Sequence, residues 1–186
     1  VMQMSFLNGI REIEQTGLAR YMLDNLDYLV DPAKLSVYVG TQFEWVLKLS
    51  SRGRGVVGER YIGILAKSLG FWVESPRKNT GDVNINGVDV EVKFARICES
   101  GAVVVNQIRP QDYQYVAIVL MSPSNIEIFT VEKTRILGLS TGQHTGSEAK
   151  ETFKYSRKNY EAVVQDIGDT SGLRYFYDTF RLHYAY

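Results

Sequence analysis

The chain has 186 residues, 45% of them hydrophobic and 23% charged, which suits one soluble domain that buries about 70% of its unfolded surface. No run of roughly 18 apolar residues and no basic, apolar leader is present, and the single cysteine, Cys98, closes no internal disulfide, so the sequence reads as cytoplasmic with no membrane partner. The 21 basic and 21 acidic residues give zero formal charge, which excludes the marked basic excess of an autonomous nucleic-acid binder.

Residues 1–50 read as a helical region. Leu18, Tyr21, Met22, Leu26 and Leu29 recur at helical spacing, Asp31-Pro32 breaks the run, and Phe43, Val46, Leu47 and Leu49 form a second. These side chains are core material rather than chemistry. Ser50-Ser51-Arg52-Gly53-Arg54-Gly55 reads as a flexible basic loop. It lacks the Gly-Lys-Ser/Thr ending of a nucleotide-binding loop, which leaves a solvated linker or a phosphate contact by Arg52 and Arg54. From Gly58 to Leu69, the spacing of Ile62, Leu65, Ala66 and Leu69 predicts an amphipathic helix stopped by Gly70. Glu59 continues its inward stripe, either as a partner of the helix dipole or as support for a polar site.

Phe71 to Glu74 reads as a strand, and Ser75 to Thr80 as a polar loop with Arg77 and Lys78. Then comes the most regular stretch, Gly81 to Ala95. Asn86-Gly87 at its centre is a common two-residue hairpin turn, because both residues tolerate the positive φ of a type I′ turn. Val88, Val90, Val92 and Phe94 point one way, and Asp89, Glu91 and Lys93 the other. A two-residue loop pairs Ile85 with Val88, Asn84 with Asp89, Val83 with Val90 and Asp82 with Glu91. That register sets two carboxylates side by side, with Cβ atoms about 4.5–5.5 Å apart, and like charges there destabilise a sheet unless compensated. Lys93 is one counter-charge; a divalent cation such as Mg²⁺ is another.

Ala102 to Val105 reads as a strand, Pro110 as the opening of a short helix, and the apolar run Tyr115 to Met121 as a strand buried on both faces. Ile126 to Val131 pairs beside it through Ser122-Pro123-Ser124-Asn125. Glu132 to Leu139 is a short helix and Gly138 to Gly146 a loop, in which His144 is a polar residue or a phosphate contact. Cys98, His144 and His183 have neither zinc-ligand spacing nor the signature of a nucleophilic triad. Residues 150–186 hold six of the 12 tyrosines and read as an aromatic-rich helical region against the domain or a partner; Lys154 to Lys158 form a second basic patch.

Gly58-Glu59-Arg60, Asp82, Glu91-Val92-Lys93 and Gln107 together resemble the motifs of the PD-(D/E)xK nuclease superfamily, especially type II restriction endonucleases. The match spans residues 56–131, in the family's order of helix, three-stranded meander, helix and strand, with a nuclease core over 56–139. Gly81 stands where the family often has proline, a position of wide variation. The implied fold is α/β, a mixed α+β sheet with helical N- and C-terminal extensions. The implied activity is Mg²⁺-dependent hydrolysis of a DNA phosphodiester. Asp82 and Glu91 would ligate the metal, with the Val92 carbonyl completing the site. Lys93 would orient water or stabilise charge, and Glu59 and Gln107 would assist. Asp89 shares the face and is a candidate for a second ion.

One such site cuts one strand. With no visible sequence-reading module and no net charge, the chain is similar to the small catalytic subunit of a heterodimeric type IIS restriction enzyme, partnered by double-stranded DNA and a larger recognition subunit. A homodimeric type II enzyme is the first alternative. A non-catalytic interaction protein on a degenerate nuclease fold, whose charged hairpin face is simply solvated, is the second.

Overall fold

The computed structural model describes residues 37–78, 80–140, 143–145 and 151–183, with only the backbone given for 143–145 and for Glu151 and Thr152. The helical reading of Leu18 to Leu29 and the break at Asp31-Pro32 lie outside the described residues. A 3₁₀ turn, Glu44–Lys48, stands where Phe43 to Leu49 read as helical.

Helix α1 (Ser51–Ser68) starts within the stretch read as a loop. Its glycines are poor helix formers, but the Ser50 hydroxyl accepts from the Gly53 N–H at 3.0 Å and caps the first turn. Gly58, Ile62 and Ala66, four residues apart, form its buried stripe. Gly58 lets it lie close on the sheet, since a Cβ there would meet Phe94 Cβ at 3.3 Å. The helix stops at Gly70, as expected, with φ 83°.

Five strands make the main sheet: β1 (Val73–Glu74), β2 (Val83–Ile85), β3 (Val88–Arg96), β5 (Tyr115–Met121) and β6 (Ile126–Glu132), in the order β1-β2-β3-β5-β6. Only β3 and β5 run parallel; the other pairs are antiparallel. The hairpin has the expected register, Val83 with Val90, Asn84 with Asp89 and Ile85 with Val88. Its turn residues Asn86 and Gly87 both have positive φ, 50° and 84°. The strands Tyr115 to Met121 and Ile126 to Val131 also form where the sequence places them.

A second sheet was not expected. Strand β4 (Val103–Ile108) leaves the main sheet and pairs with β8 (Glu151–Arg157), which pairs with β7 (Gln143–Thr145). Pro110 opens no helix, so the helix implied between meander and strand is absent; residues 109–114 form an irregular connection. His144 lies in β7 rather than in a loop, and β8 occupies the start of the region read as helical. The remaining helices are α2 (Lys133–Leu139), α3 (Tyr160–Ile167) and α4 (Gly172–Arg181). Among the described residues, no helix is long and apolar enough to cross a membrane.

The two faces of the main sheet bury separate cores. Ile62 and Ala66 of α1 and Phe176 and Phe180 of α4 pack on Val88, Val90 and Val92. On the other face, Val116, Ile118 and Leu120 meet Val103, Val105 and Ile108 of β4 and Tyr155 of β8. The hairpin's charged face is therefore covered by the second sheet rather than by solvent.

Phe180 is fully buried, its ring 4.8 Å from Phe176 and 5.9 Å from Tyr115, whereas Leu182 is 76% exposed. Phe180→Ala is expected to lower the unfolding free energy by about 3–5 kcal/mol, and Leu182→Ala to leave it nearly unchanged, both read by urea denaturation.

Candidate active site

Unequal strand lengths open the site. β3 has nine residues and β2 three, so the ladder ends at the Val83 and Val90 pair. One further backbone bond, from the Asp82 N–H to the Val90 carbonyl at 2.9 Å, holds Asp82 against β3 just past the ladder, although the expected pairing of Asp82 with Glu91 is not part of that ladder. Beyond it, the Val92 N–H donates at 2.8 Å to Asp82 Oδ2, so a side chain takes the place of a strand. Backbone groups two residues apart leave a strand on the same edge, so the Val92 carbonyl faces this corner too.

The chain enters the corner through Gly81 at φ 120°. A Cβ there would lie 2.7 Å from the Val90 carbonyl oxygen and 3.2 Å from the Glu91 nitrogen. Proline, held at φ of about −65°, does not fit either. Glycine at position 81 is thus demanded by this backbone.

Glu91 is 5% exposed, and Lys93 Nζ donates to its Oε1 at 2.6 Å. Burial lifts the Glu91 carboxyl above the ordinary range; Lys93 pulls it down, Asp82 pushes it up, and Arg109 pulls it down again, with a net rise. Glu59 reaches the same corner from α1, and burial raises its carboxyl, with the charges of Asp82 and Glu91 adding to the rise. Tyr113 feels the same pair: burial first, then Glu91 and Asp82, hold its hydroxyl well above the usual range. Three carboxylates crowd one corner that Lys93 only partly neutralises.

Asp89 does not join them. It is 4% exposed and accepts from Asn84 Nδ2 at 2.7 Å, while Asn84 Oδ1 accepts from the Gly87 N–H at 3.0 Å. Its partner comes from within the hairpin, which leaves no basis for a second ion there. Burial of Asp89 and Glu91 also removes the premise of a simply solvated charged face.

Gln107 arrives through a β-bulge. Val105 pairs with Tyr155 but Ile108 pairs with Phe153, three steps against two, and Gln107 takes φ 56°. Neighbours in a regular strand face opposite ways; here Asn106 and Gln107 both line the same cleft. That cleft, of about 570 Å³, gathers Glu59, Asp82 and Glu91 with Arg54, Lys93, Arg109 and Lys154. Arg109 and Asn106 were not singled out from the sequence. The two basic patches were, but nothing in their spacing showed that Arg54 and Lys154 converge.

Among the described residues, no three His, Cys, Asp and Glu side chains close into a ready metal cage. The donor set is an open one: carboxylates from Asp82 and Glu91, with Glu59 beside them, and a backbone carbonyl. It fits Mg²⁺, which takes one or two carboxylates and keeps several waters.

No family model matches the chain, and no curated protein matches it in sequence. Among solved structures it is similar to a bacterial homing endonuclease, I-Ssp6803I, with a TM-score of 0.41 and 14% identity over 56% of this chain and 78% of that one. At this level the likeness says nothing of what these residues do.

Gly81→Ala is expected to cost about 1–3 kcal/mol for the strained backbone, with the Val90 contact adding to it, and to displace Asp82; thermal unfolding reads the first and an amide NMR shift at Val92 the second. Glu59→Gln removes a like charge from the corner. It is expected to raise the melting temperature at neutral pH without divalent cations, by up to about 2–4 °C for a chain of this size, as measured by calorimetry.

Proposed function

We propose that the chain is a Mg²⁺-dependent DNA endonuclease whose catalytic corner is Asp82, Glu91 and Lys93. The observation that carries this reading is the Asp82 carboxylate, fixed by the Val92 N–H in the same cleft as a buried Glu91 that Lys93 holds. Crowding carboxylates at a sheet edge is destabilising by itself, and a bound cation gives the arrangement a purpose.

Asp82, Glu91 and the Val92 carbonyl would hold the metal. When bound, Mg²⁺ supplies positive charge against phosphoryl oxygens and makes water a stronger acid. In the hydrolysis, a water oxygen bonds to phosphorus, the bond from phosphorus to the leaving sugar oxygen breaks, and a proton ends on that oxygen. Lys93, anchored by Glu91, orients the water and offsets charge developing on the phosphate. Glu59, whose carboxyl retains protons more readily than usual, can take or return a proton at the edge of the corner. Gln107, turned inward by the bulge, supplies an amide to orient water or substrate.

The role we assign within a restriction system is the small catalytic subunit of a heterodimeric type IIS enzyme, cutting one strand while a larger subunit reads the DNA. Zero net charge supports it, since the chain alone has little general attraction for a polyanion. A homodimer that reads its own site is the second arrangement; a cytoplasmic location belongs to either.

Asp82→Ala and Glu91→Ala are each expected to lower Mg²⁺-dependent DNA cleavage by about 10³-fold or more with circular dichroism unchanged. The assay uses the full chain alone and together with the product of its genomic neighbour. Cleavage alone supports the homodimer, cleavage only with the neighbour supports the small subunit, and undiminished cleavage by both variants sinks the assignment.

A further inference from the structure

The cleft carries both signs of charge, contributed by both sheets and by α1. Its carboxylates come from α1 and the β2–β3 hairpin, whereas Arg109 follows β4 and Lys154 lies on β8. Arg54, from the first turns of α1, adds a third basic group. Lys93 is paired with Glu91, but among the described residues no ion pair engages Arg54 or Arg109.

Both arginines are held in place. Arg54 Nη1 donates to the Leu49 carbonyl at 2.8 Å and Nη2 to Ser51 Oγ at 2.9 Å, bonds to neutral acceptors that leave its charge uncompensated and three of its five N–H donors available. Burial lowers its pKa, and the like charge of Arg96 lowers it further. Arg109 is fixed through its backbone: its carbonyl accepts from the Tyr113 hydroxyl at 2.5 Å, in a connection tied to β3 by the Gln114 N–H, which donates to the Asp89 carbonyl at 2.9 Å.

We infer that Arg54, Arg109 and Lys154 form a phosphate-holding wall, in which the start of α1 and the second sheet grip backbone phosphates next to the one that meets Asp82 and Glu91. This rests on the reading of the carboxylate corner as a phosphodiester-hydrolysing site and deepens it. The wall positions substrate by charge and carries no sequence information. It also makes an extended polyanion, rather than a lone phosphate ester, the ligand that fills both halves of the cleft.

The test is fluorescence anisotropy of the full chain with a labelled DNA duplex in EDTA, which prevents any metal-dependent cutting, over a series of salt concentrations. Arg54→Ala, Arg109→Ala and Lys154→Ala are each expected to weaken binding several-fold and to reduce the slope of log affinity against log salt by about 0.9 for each phosphate no longer neutralised. Arg109→Lys, which keeps the charge, is expected to restore the slope, and Arg174→Ala, on the exposed face of α4, to leave it unchanged. Unaltered slopes in all three alanine variants, or no duplex binding by the wild type, overturn the wall. Displacement of duplex by inorganic phosphate, beyond the effect of chloride at equal ionic strength, assigns the cleft to a lone phosphate and overturns it too. Cutting in Mg²⁺ is scored separately: slope changes in a protein that never cuts DNA support the wall and reject the hydrolysis.

Discussion

The hydrogen bond from the Val92 N–H to Asp82 Oδ2 decides how this molecule is organised. It ends the β2–β3 ladder with a side chain instead of backbone, and it fixes that carboxylate where the edge of β3 turns open. Because an open edge can be reached from both faces of a sheet, α1 can bring Glu59 from one side while Glu91 and Lys93 stand on the other. Glycine at position 81 permits it, since the approach to Val90 leaves no room for a Cβ.

The second sheet gives that corner an opposite wall. Strand β4 departs after the hairpin and returns the chain to β5 only after pairing with β8, so chemistry from the middle of the chain meets residues near its end. The bulge at Asn106 and Gln107 adds an extra residue where the sheets meet, turning two consecutive polar side chains into the cleft. A buried core beneath, with Val103, Val105, Ile108 and Tyr155, holds the two sheets together.

Much of the hairpin was legible because its information is local. Asn86-Gly87 sets the turn, alternation sets the faces, and the register that follows pairs Asn84 with Asp89, while Asp82, past the last pair, is tied to Val90 instead of pairing with Glu91. The apolar run of β5 was equally plain. Burial of the charged face was hidden, since what covers it is β4 paired with β8, a contact between segments far apart in sequence. Thr152 to Ser156 does alternate, Phe153 and Tyr155 against Thr152, Lys154 and Ser156, but the run is short and sits in a tyrosine-rich region read as helical. The glycines of residues 51–58 argued for a loop, yet the Ser50 cap and close packing of Gly58 on Phe94 make it helix. Asp89 and Glu91 looked alike in the sequence. Only the hairpin's own Asn84 separates the satisfied carboxylate from the one that opens on the cleft.

The early end of β2 has a further effect, on solubility. A strand that outruns its partner presents unpaired backbone groups, an invitation to pair with another chain. Here the stretch of β3 beyond its pairing with β2 begins with an N–H already taken by Asp82 and is flanked by Glu59, Glu91 and Lys93. A strand from another molecule docking there would have to shut Glu59 and Lys93 away from water, a cost of several kcal/mol for an ion fully buried. The groups that crowd the corner thereby guard it, and the same charges that make the folded chain less stable keep it from joining sheets with its neighbours.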